Sequence, residues 1–340
     1  MSLIRPFRAL RPAAGRSEDV VAPPYDVVDR AEAKALAEDR PWSFLHISRP
    51  EIDLDEAIDP YDARVYAKGR ANLDRMLEAG VLQRDPAPAY YAYRLTMGRH
   101  RQTGLVAAAS VDAYDQNRIR KHEFTRPVKE DDRVRQIEGL NAQTGPVFLV
   151  YRALPVVDGL LERICRGAAE VDVVAQRDGV RHEIWPITGA RDIDTLTAAF
   201  DAMQAIYVAD GHHRSAAASR VAAGRRAGHA GHDAEAGYNY FLSVIFPHDQ
   251  MQILDYNRVV RDLNGHSPDT LLGQVGAVFD VALSDGPVRP ARSGEYGMYL
   301  AGSWYRLTLH TERIPQDDPV RRLDVSLLQN NLIEPLLGIE

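Results

Sequence analysis

The segment with the clearest capacity for chemistry is a run of five residues: Asp210-Gly211-His212-His213-Arg214. Residues 205–209 before it are apolar and predict a short buried strand, and the alanine-rich residues after it predict a helix. A helix that begins here presents unpaired backbone N–H groups and the positive end of its dipole. Gly211 lets a ligand approach the backbone, and the planar guanidinium of Arg214 suits phosphate or carboxylate. The run therefore predicts an anion-binding site.

The same run also has a purely structural interpretation. Asp-Gly is a common turn, in which Asp210 caps the following helix while the two histidines are packed or solvated. Two adjacent histidines and an arginine within one turn are more than packing requires. Both interpretations stay open at the level of the sequence.

A second run, residues 121–133, concentrates acids, bases and cations in the order KHEFTRPVKEDDR. A carboxylate beside His122 and Lys129 can serve as a general base or as a metal ligand. The run is not a zinc-protease helix, because Arg126 stands where the second histidine is required. The alternative is a solvated, charged helix face.

Two further places carry weaker signals. His229 and His232 lie in a glycine-containing loop, whose flexibility argues against a metal site. Asn257 and Arg258 have the character of turn or strand-end residues, with ligand binding as the alternative. A Walker loop, a dinucleotide-binding glycine motif and a nucleophile elbow are all missing from the sequence, which excludes the commonest nucleotide-binding and hydrolase folds.

The composition narrows the class of protein. The 340 residues are enough for about two domains. The net charge of −7 argues against duplex nucleic acid as a partner, since such proteins normally carry a basic excess. The single cysteine cannot form an internal disulfide, and there is neither a bilayer-length apolar run nor a signal peptide. We therefore expect a cytoplasmic protein that acts on small molecules, not on nucleic acid or membranes.

The elements that must position these residues are predicted from periodicity and turn signals. Helices are predicted over 58–79, 157–167, 193–203, 215–223 with a stop at Gly224, from Ser267, and over 324–337. Strands are predicted over 89–96 and 105–113 as a hairpin with a longish loop, and over 146–151, 170–176, 180–187 and 205–209, with strand pairs near 238–256 and 296–310. The pattern predicts a mixed α+β fold with largely antiparallel sheets, flanking helices and two domains, 1–152 and 153–340.

Several longer motifs resemble a known family. They are the run Ala22-Pro23-Pro24-Tyr25-Asp26-Val27, the spaced residues His122-Glu123, Thr125, Lys129 and Asp132-Arg133, the Asp210–Arg214 run with Ala209 before it, Tyr256-Asn257-Arg258-Val259-Val260, and Leu323-Asp324-Val325-Ser326-Leu327-Leu328 with Glu334-Pro335-Leu336-Leu337-Gly338 after it. On these the whole chain is similar to the prokaryotic family called domain of unknown function 1015. Members of that family usually continue beyond the last motif, so the resemblance implies that further residues would follow Glu340.

The Asp210–Arg214 run on its strand, turn and helix also resembles the nucleotide-binding box of the ParB/sulfiredoxin superfamily. That superfamily includes the chromosome-partitioning CTPase ParB, ATP-using sulfiredoxins and kinases that phosphorylate free serine. Sulfiredoxin chemistry requires a cysteine where His212 stands, and the basic helix-turn-helix module of ParB has no counterpart here. The resemblance therefore implies a ParB/sulfiredoxin-like box in the second domain and favours a small-molecule kinase.

We expect phosphoryl transfer from ATP or ADP, with Mg²⁺, to a small hydroxyl metabolite, free serine being the most specific candidate. The residues with expected catalytic roles are Glu123, Asp132 and His122. The expected phosphate contacts are Gly211, His212, His213 and Arg214, with Asp210 binding magnesium or shaping the turn. The expected substrate contacts are Thr125, Lys129, Arg133, Asn257 and Arg258. The alternatives are a nucleotide-binding regulatory protein without catalysis and a metal-dependent hydrolase that uses the histidines.

Each of the two runs offers groups that the other lacks. The Asp210 run provides phosphate donors, whereas residues 121–133 provide a carboxylate and further cations. Because a pocket with several convergent polar groups is the usual form of an active site, the sequence predicts that the two runs meet in one pocket.

Overall fold

The computed structural model describes residues 2–228, 233 and 235–339. The chain divides into two compact units, Met1–Gln252 and Ile253–Glu340. The sequence placed the division near residue 152 instead. Strands from both sides of that position are neighbours in one sheet of the first unit, so residue 152 lies inside a unit. Pairing between strands distant in sequence sets the boundary, and no local signal marks it.

The strands of the first unit are β1 (Ile4–Arg5), β2 (Leu10–Pro12), β3 (Leu82–Arg84), β4 (Tyr90–Met97), β5 (His100–Ser110), β6 (Ile119–Arg120), β7 (Val147–Tyr151), β8 (Val171–Val174), β9 (Arg181–Ile187), β10 (Ile206–Asp210) and β11 (Tyr240–Pro247). The described residues form a nine-stranded sheet in the order β6-β10-β7-β11-β5-β4-β9-β8, with β1 also paired to β5, and a small β2–β3 sheet. In the large sheet β6–β10 and β7–β11 pair in parallel, and the other neighbours are antiparallel. The predicted α+β class with largely antiparallel sheets is confirmed.

The helices of the first unit are α1 (Ser17–Val20), α2 (Arg30–Ala37), α3 (Leu45–Ser48), α4 (Ala63–Glu78), α5 (Val111–Asp115), α6 (Pro127–Leu140), α7 (Pro155–Ile164), α8 (Ala190–Asp201) and α9 (His212–Gly228). The Asp62 side chain accepts a hydrogen bond from the Arg64 N–H at the start of α4. Gly80 follows the end of α4 with a φ of +66°. The helix that periodicity predicted over 58–79 therefore begins later, after the Asp62 cap, and ends before Gly80 as predicted.

The core of the first unit follows the large sheet. Leu105, Leu149 and Ile245, on β5, β7 and β11, are fully buried, and Phe241 is 1% exposed. Burial of such a side chain contributes about 1.5–3 kcal/mol to folding. The central strands therefore form a rigid base for β10, which lies beside β7 and leads to the Asp210 run.

Three predicted elements differ in detail. Met97 pairs with His100, so the hairpin turn is the tight Gly98-Arg99 instead of a longish loop. Gly98 has a φ of +58°, which suits a two-residue turn with glycine first, and the polar residues after it extend β5. The predicted pair near 238–256 is the single strand β11, held between β5 and β7.

Helix α9 is longer than predicted at both ends. It begins at His212, three residues before the alanine-rich stretch, and continues through Gly224 to Gly228. A single glycine costs a helix only about 1 kcal/mol relative to alanine, which neighbouring alanines and packing outweigh. The two histidines therefore belong to the first turn of the helix.

The second unit contains α10 (Pro268–Gly276), β12 (Phe279–Ser284), β13 (Glu295–Leu300), β14 (Ser303–Leu309), α11 (Asp324–Leu328), a π-helical turn (Gln329–Ile333) and α12 (Glu334–Leu337). Its antiparallel sheet has the order β12-β14-β13. Ser267 caps α10 by accepting a hydrogen bond from Thr270 N–H, at the helix start that the sequence predicted. Among the described residues of both units, no helix has the length and apolar character needed to cross a membrane.

Candidate active site

The predicted anion site lies where β10 passes into α9. Strand β10 ends at Asp210, Gly211 turns the chain with a φ of +93°, and α9 begins at His212. The Ser215 N–H donates to the Gly211 carbonyl at 3.0 Å. The amides of His212, His213 and Arg214 precede this bond, so the helix itself offers them no carbonyl. The turn thus provides amide donors and a positive dipole end at one point.

Gly211 is required by space as well as by its backbone angle. A Cβ at this position would lie 3.1 Å from the Arg214 guanidinium carbon, 3.1 Å from its Nε and 3.3 Å from the Val147 Cα. A positive φ is also costly for any residue with a side chain. Glycine therefore allows the Arg214 side chain to lie flat against the turn.

His212 is the most buried polar group of the site, with 3% of its surface exposed. Its Nδ1 lies 3.4 Å from Glu123 Oε2, and its ring meets the His122 ring edge-on with centroids 4.5 Å apart. Burial lowers the pKa of His212, and the neighbouring His122 lowers it further. His212 Nε2 is buried and has no hydrogen-bond partner among the described residues. A buried polar atom without a partner is costly for folding, and Nε2 is the atom of this ring that remains open to a further hydrogen bond.

His213 connects α9 to the second run. Its Nε2 accepts a hydrogen bond from the backbone N–H of Arg126 at 3.1 Å, and Arg126 is the N-cap residue of α6. Since a backbone N–H can only donate, Nε2 carries no proton and the neutral ring is protonated at Nδ1. His213 therefore has one N–H left for a ligand.

Arg214 already has partners on both terminal nitrogens. Its Nη2 lies 2.5 Å from Asp210 Oδ2 and 3.6 Å from Asp26 Oδ2, and its Nη1 donates to the Pro146 carbonyl. The sequence predicted a fork open to phosphate. In the structure, the Arg214 side chain instead connects three segments through these contacts: the end of β10, the loop at Asp26 and the turn before β7.

Arg133 and Asp132 belong to a second network, next to the first. The Arg133 guanidinium lies over the Tyr25 ring, 4.2 Å from its centroid, and contacts Asp132 Oδ2 at 2.5 Å. Asp132 Oδ1 accepts a hydrogen bond from the Tyr66 hydroxyl at 2.8 Å. Burial raises the pKa of Tyr66, and its bond to Asp132 adds to that rise. Asp132 is thus occupied as an acceptor, whereas Glu123 is 57% exposed.

The remaining residues of the second run hold α6 against α9 or face solvent. The Thr125 hydroxyl donates to Glu130, and Glu130 and Asp131 pair with Arg220 of α9 at 3.3 and 2.7 Å. Lys129 is exposed. It is therefore a cation available at the surface of this region.

The structure brings the two predicted runs together. Glu123 and His122 contact His212, and Arg126 contacts His213. One cleft is lined by Tyr25, Arg133 and Arg214, and also by Gln136, Ile137, Gln143, Thr144 and Gly145. The predicted contact between the two segments is therefore observed. The cleft takes Arg133 from one run and Arg214 from the other, but its lining does not include Glu123, His212 or His213, so a single pocket that holds both sets of groups stays a prediction.

Other candidate residues belong to the second unit or fall outside the described residues. Asn257 and Arg258 belong to the second unit, in an exposed stretch without regular structure. His229 and His232, the weak metal candidates, lie outside the described residues. Within the part of the chain that is described, no group of three or more histidine, cysteine, aspartate or glutamate residues could hold a metal ion.

Tyr25, Asp26 and residues 143–146 are site components that the chemical reading of the sequence did not select. Two adjacent prolines precede Tyr25 and restrict the backbone of that loop. Gly145 lies close to Arg214, since a Cβ there would be 3.2 Å from the Arg214 Cδ. A rigid proline loop and a glycine before Pro146 were the signals available.

The family comparison covers both units. The family model described as Protein of unknown function (DUF1015) matches residues 4–326. The chain belongs to the DUF1015 family. Searches of curated proteins and of solved structures found no significant match. The DUF1015 match includes all the candidate site residues, from Tyr25 to Arg258.

In this DUF1015 protein we expect Arg214→Lys and Arg214→Ala both to lower thermal stability. Three acceptors lose their common donor, and an ammonium group cannot reproduce the fork. The loss should be about 1–3 kcal/mol, and thermal unfolding monitored by circular dichroism measures it. The matched control is Arg177→Ala, at the exposed turn between β8 and β9. Unchanged melting temperatures for both Arg214 variants would contradict the conclusion that Arg214 stabilises the fold by connecting these segments.

Proposed function

We propose that this protein is a nucleotide-dependent phosphotransferase that acts on a small hydroxyl metabolite, with free serine the most specific candidate. The observation that carries the proposal is the contact between His212, in the first turn of α9, and Glu123 of the second run. The helix start that we propose to bind phosphate thus lies beside a carboxylate. Phosphoryl transfer needs these two elements, because it depends on charge neutralisation and on the position of the acceptor.

The phosphates of the nucleotide bind at the start of α9. The amides of His212, His213 and Arg214 face no carbonyl within the helix, and the dipole adds partial positive charge. His213 contributes its Nδ1–H, because Nε2 is committed to Arg126. Arg214 shapes this cradle by holding Asp210 and by packing against Gly211.

The acceptor hydroxyl binds at His212 Nε2, across the ring from the nitrogen that faces Glu123. With Glu123 beside Nδ1, the favoured neutral ring carries its proton on Nδ1, which leaves Nε2 as an acceptor. The hydroxyl proton passes to Nε2 as the oxygen bonds to the terminal phosphorus and the bond to the nucleotide breaks. Glu123 is better suited than Asp132 to orient the ring, since Asp132 is held by Tyr66 and Arg133. His122, packed against the His212 ring, fixes its plane.

Asp210 is the residue that fits a magnesium ion. Its side chain is 65% exposed at the mouth of the cradle, and Mg²⁺ is commonly held by one or two carboxylates together with substrate phosphates and water. A bound Mg²⁺ would neutralise charge on the transferring phosphate. Asp26 approaches the same Arg214 nitrogen at 3.6 Å and is a second carboxylate near that place.

The substrate carboxylate of serine would be met by a cation. The Lys129 side chain is exposed and makes no ion pair or hydrogen bond among the described residues, so it is available. Arg133, by contrast, is held by Asp132 and Tyr25. Thr125 is engaged with Glu130 and supports the loop. Asn257 and Arg258 stay predictions for the second unit.

A direct assay separates this function from the alternatives. Purified protein is incubated with ATP or ADP and Mg²⁺, with and without serine, and nucleotide consumption and phosphoserine are measured. A phosphotransferase consumes nucleotide only when the acceptor is present and forms product in equal amount. A regulatory protein would bind nucleotide without serine-dependent consumption, and a hydrolase would release phosphate without an acceptor. Other small alcohols in the same assay test the acceptor class if serine fails.

A further inference from the structure

A separate cavity lies in the first unit beside α2, α3 and α4. It has a volume of about 350 Å³, within the range of roughly 300–1,000 Å³ typical of small-molecule sites. It shares no lining residue with the candidate active site. Its size admits one small metabolite.

Cations converge on this cavity from two elements. Lys68, Asn72 and Arg75 line it from α4, at the i, i+4 and i+7 positions that share one helix face. Arg40 lines it from the turn after α2. A polar helix face usually lies in open solvent, but this one lines a cavity. It therefore has the character of a binding surface.

The carboxylate of Asp53 in the lining is satisfied from within the protein. Asp53 Oδ1 lies 2.8 Å from His46 Nδ1, and Oδ2 accepts a hydrogen bond from Asn72 Nδ2 at 2.7 Å. Burial raises the pKa of Asp53, but these two hydrogen bonds, together with the nearby charges of His46 and Lys68, hold the pKa below its usual value. His46 Nε2 faces the Arg40 carbonyl at 3.2 Å.

The cations of the lining are Arg40, Lys68 and Arg75, and none of them forms a direct ion pair with a carboxylate among the described residues. Arg40 Nη2 donates to the carbonyls of Glu18 and Val21, and Arg75 Nη2 donates to the carbonyl of Pro41. The Lys68 side chain makes no hydrogen bond or direct ion pair within the described part of the chain, and its charge acts on Asp53 only at longer range. Backbone carbonyls thus orient the two guanidinium groups but leave their charge and several N–H donors uncompensated. Asp39 is the one carboxylate of the lining besides Asp53, so positive charge exceeds negative.

We propose that this cavity binds the phosphate group of a small phosphorylated metabolite. Two guanidinium forks and an ammonium group are the donors that phosphate prefers, and the satisfied Asp53–His46–Asn72 group forms a fixed base for them. The proposal does not depend on the proposed phosphotransferase activity. The occupant contacts α4, the helix whose Tyr66 holds Asp132, so the site lies on an element that also supports the candidate active site.

The test is calorimetric titration of the full chain with inorganic phosphate and with glycerol phosphate, in a phosphate-free buffer of low ionic strength. We expect saturable binding that Lys68→Ala and Arg75→Gln each weaken about tenfold or more. Lys34→Ala removes the same charge from α2, where Lys34 pairs with exposed Glu56, and should leave affinity within about twofold. Lys68→Ala, whose side chain bonds nothing else, keeps the test informative if Arg75→Gln unfolds.

Three results would overturn the proposal. Absence of saturable binding would show that the cavity is not a phosphate site. An equal loss in Lys34→Ala would assign the binding to diffuse charge. Binding abolished by His213→Ala but retained in Lys68→Ala would place the phosphate at the start of α9 instead. A higher affinity for glycerol phosphate than for inorganic phosphate would support a phosphorylated metabolite as the ligand instead of the free ion.

Discussion

Glu123→Gln is expected to lower turnover about 100- to 10,000-fold while nucleotide affinity changes little, the range typical of losing one acid–base group. In the proposed reaction Glu123 keeps the proton of His212 on Nδ1, so that Nε2 accepts the hydroxyl proton. An amide of the same size occupies the same space but can present an N–H to Nδ1 and favour the wrong ring form. Steady-state rates and nucleotide binding on the same preparation measure the two effects separately.

The pH profile of this variant gives a second readout. Burial and His122 lower the pKa of His212, and the charge of Glu123 opposes them. Removing that charge lowers the pKa further. Since the base must be neutral, the acid limb of the rate profile should move to lower pH in Glu123→Gln. Glu138→Gln, exposed near the end of α6, is the matched control and should leave rate and profile unchanged. A Glu123→Gln protein with wild-type turnover would exclude the role.

Gly211→Ala is expected to lose stability and nucleotide binding together. The φ of +93° alone costs a non-glycine residue on the order of 1–3 kcal/mol. The new methyl group also contacts the Arg214 guanidinium and the Val147 backbone, so Arg214 must leave the turn. Displacement of the cradle should weaken nucleotide binding at least about tenfold, the equivalent of one lost hydrogen bond to a charged group.

Gly179→Ala separates the two causes. Gly179 has a φ of +69° and no atom within 4 Å of an added Cβ. It therefore carries backbone strain without a contact, and nucleotide binding should be unaffected. The difference in melting temperature between the two variants measures the contact with Arg214 and Val147. Nucleotide binding by Gly211→Ala equal to that of the wild type would contradict the proposed phosphate cradle.

Elements with local signals could be predicted from the sequence. Asp62 and Gly80 mark the ends of α4, and Ser267 marks the start of α10. Caps and hydrophobic periodicity act over a few residues, so they can be recognised in the sequence without knowledge of the tertiary structure. The order of strands in the large sheet has no such local code, which is why the division near residue 152 was misplaced.

The candidate site could be predicted in part for the same reason. The types of residue in the two runs complement each other, and the structure brings the runs into contact. The partners of each charge were not predictable, because they come from distant segments: Asp26 and Pro146 for Arg214, and Tyr66 for Asp132. Likewise, the sequence pattern of Lys68, Asn72 and Arg75 is that of an ordinary solvated helix face. Only the structure shows that α2 and α3 enclose a cavity beside this face.

The position of β11 between β5 and β7 has a consequence for synthesis of the chain. A nascent chain completes β5 at Ser110 and β7 at Tyr151, but the strand that pairs with both spans Tyr240–Pro247. Until then both strands keep open edges, which are prone to association with other chains. Contacts of such long sequence separation also slow folding. We therefore expect ribosome-bound chains that end before β11 to engage chaperones, and the first unit to fold only after its last strand has emerged.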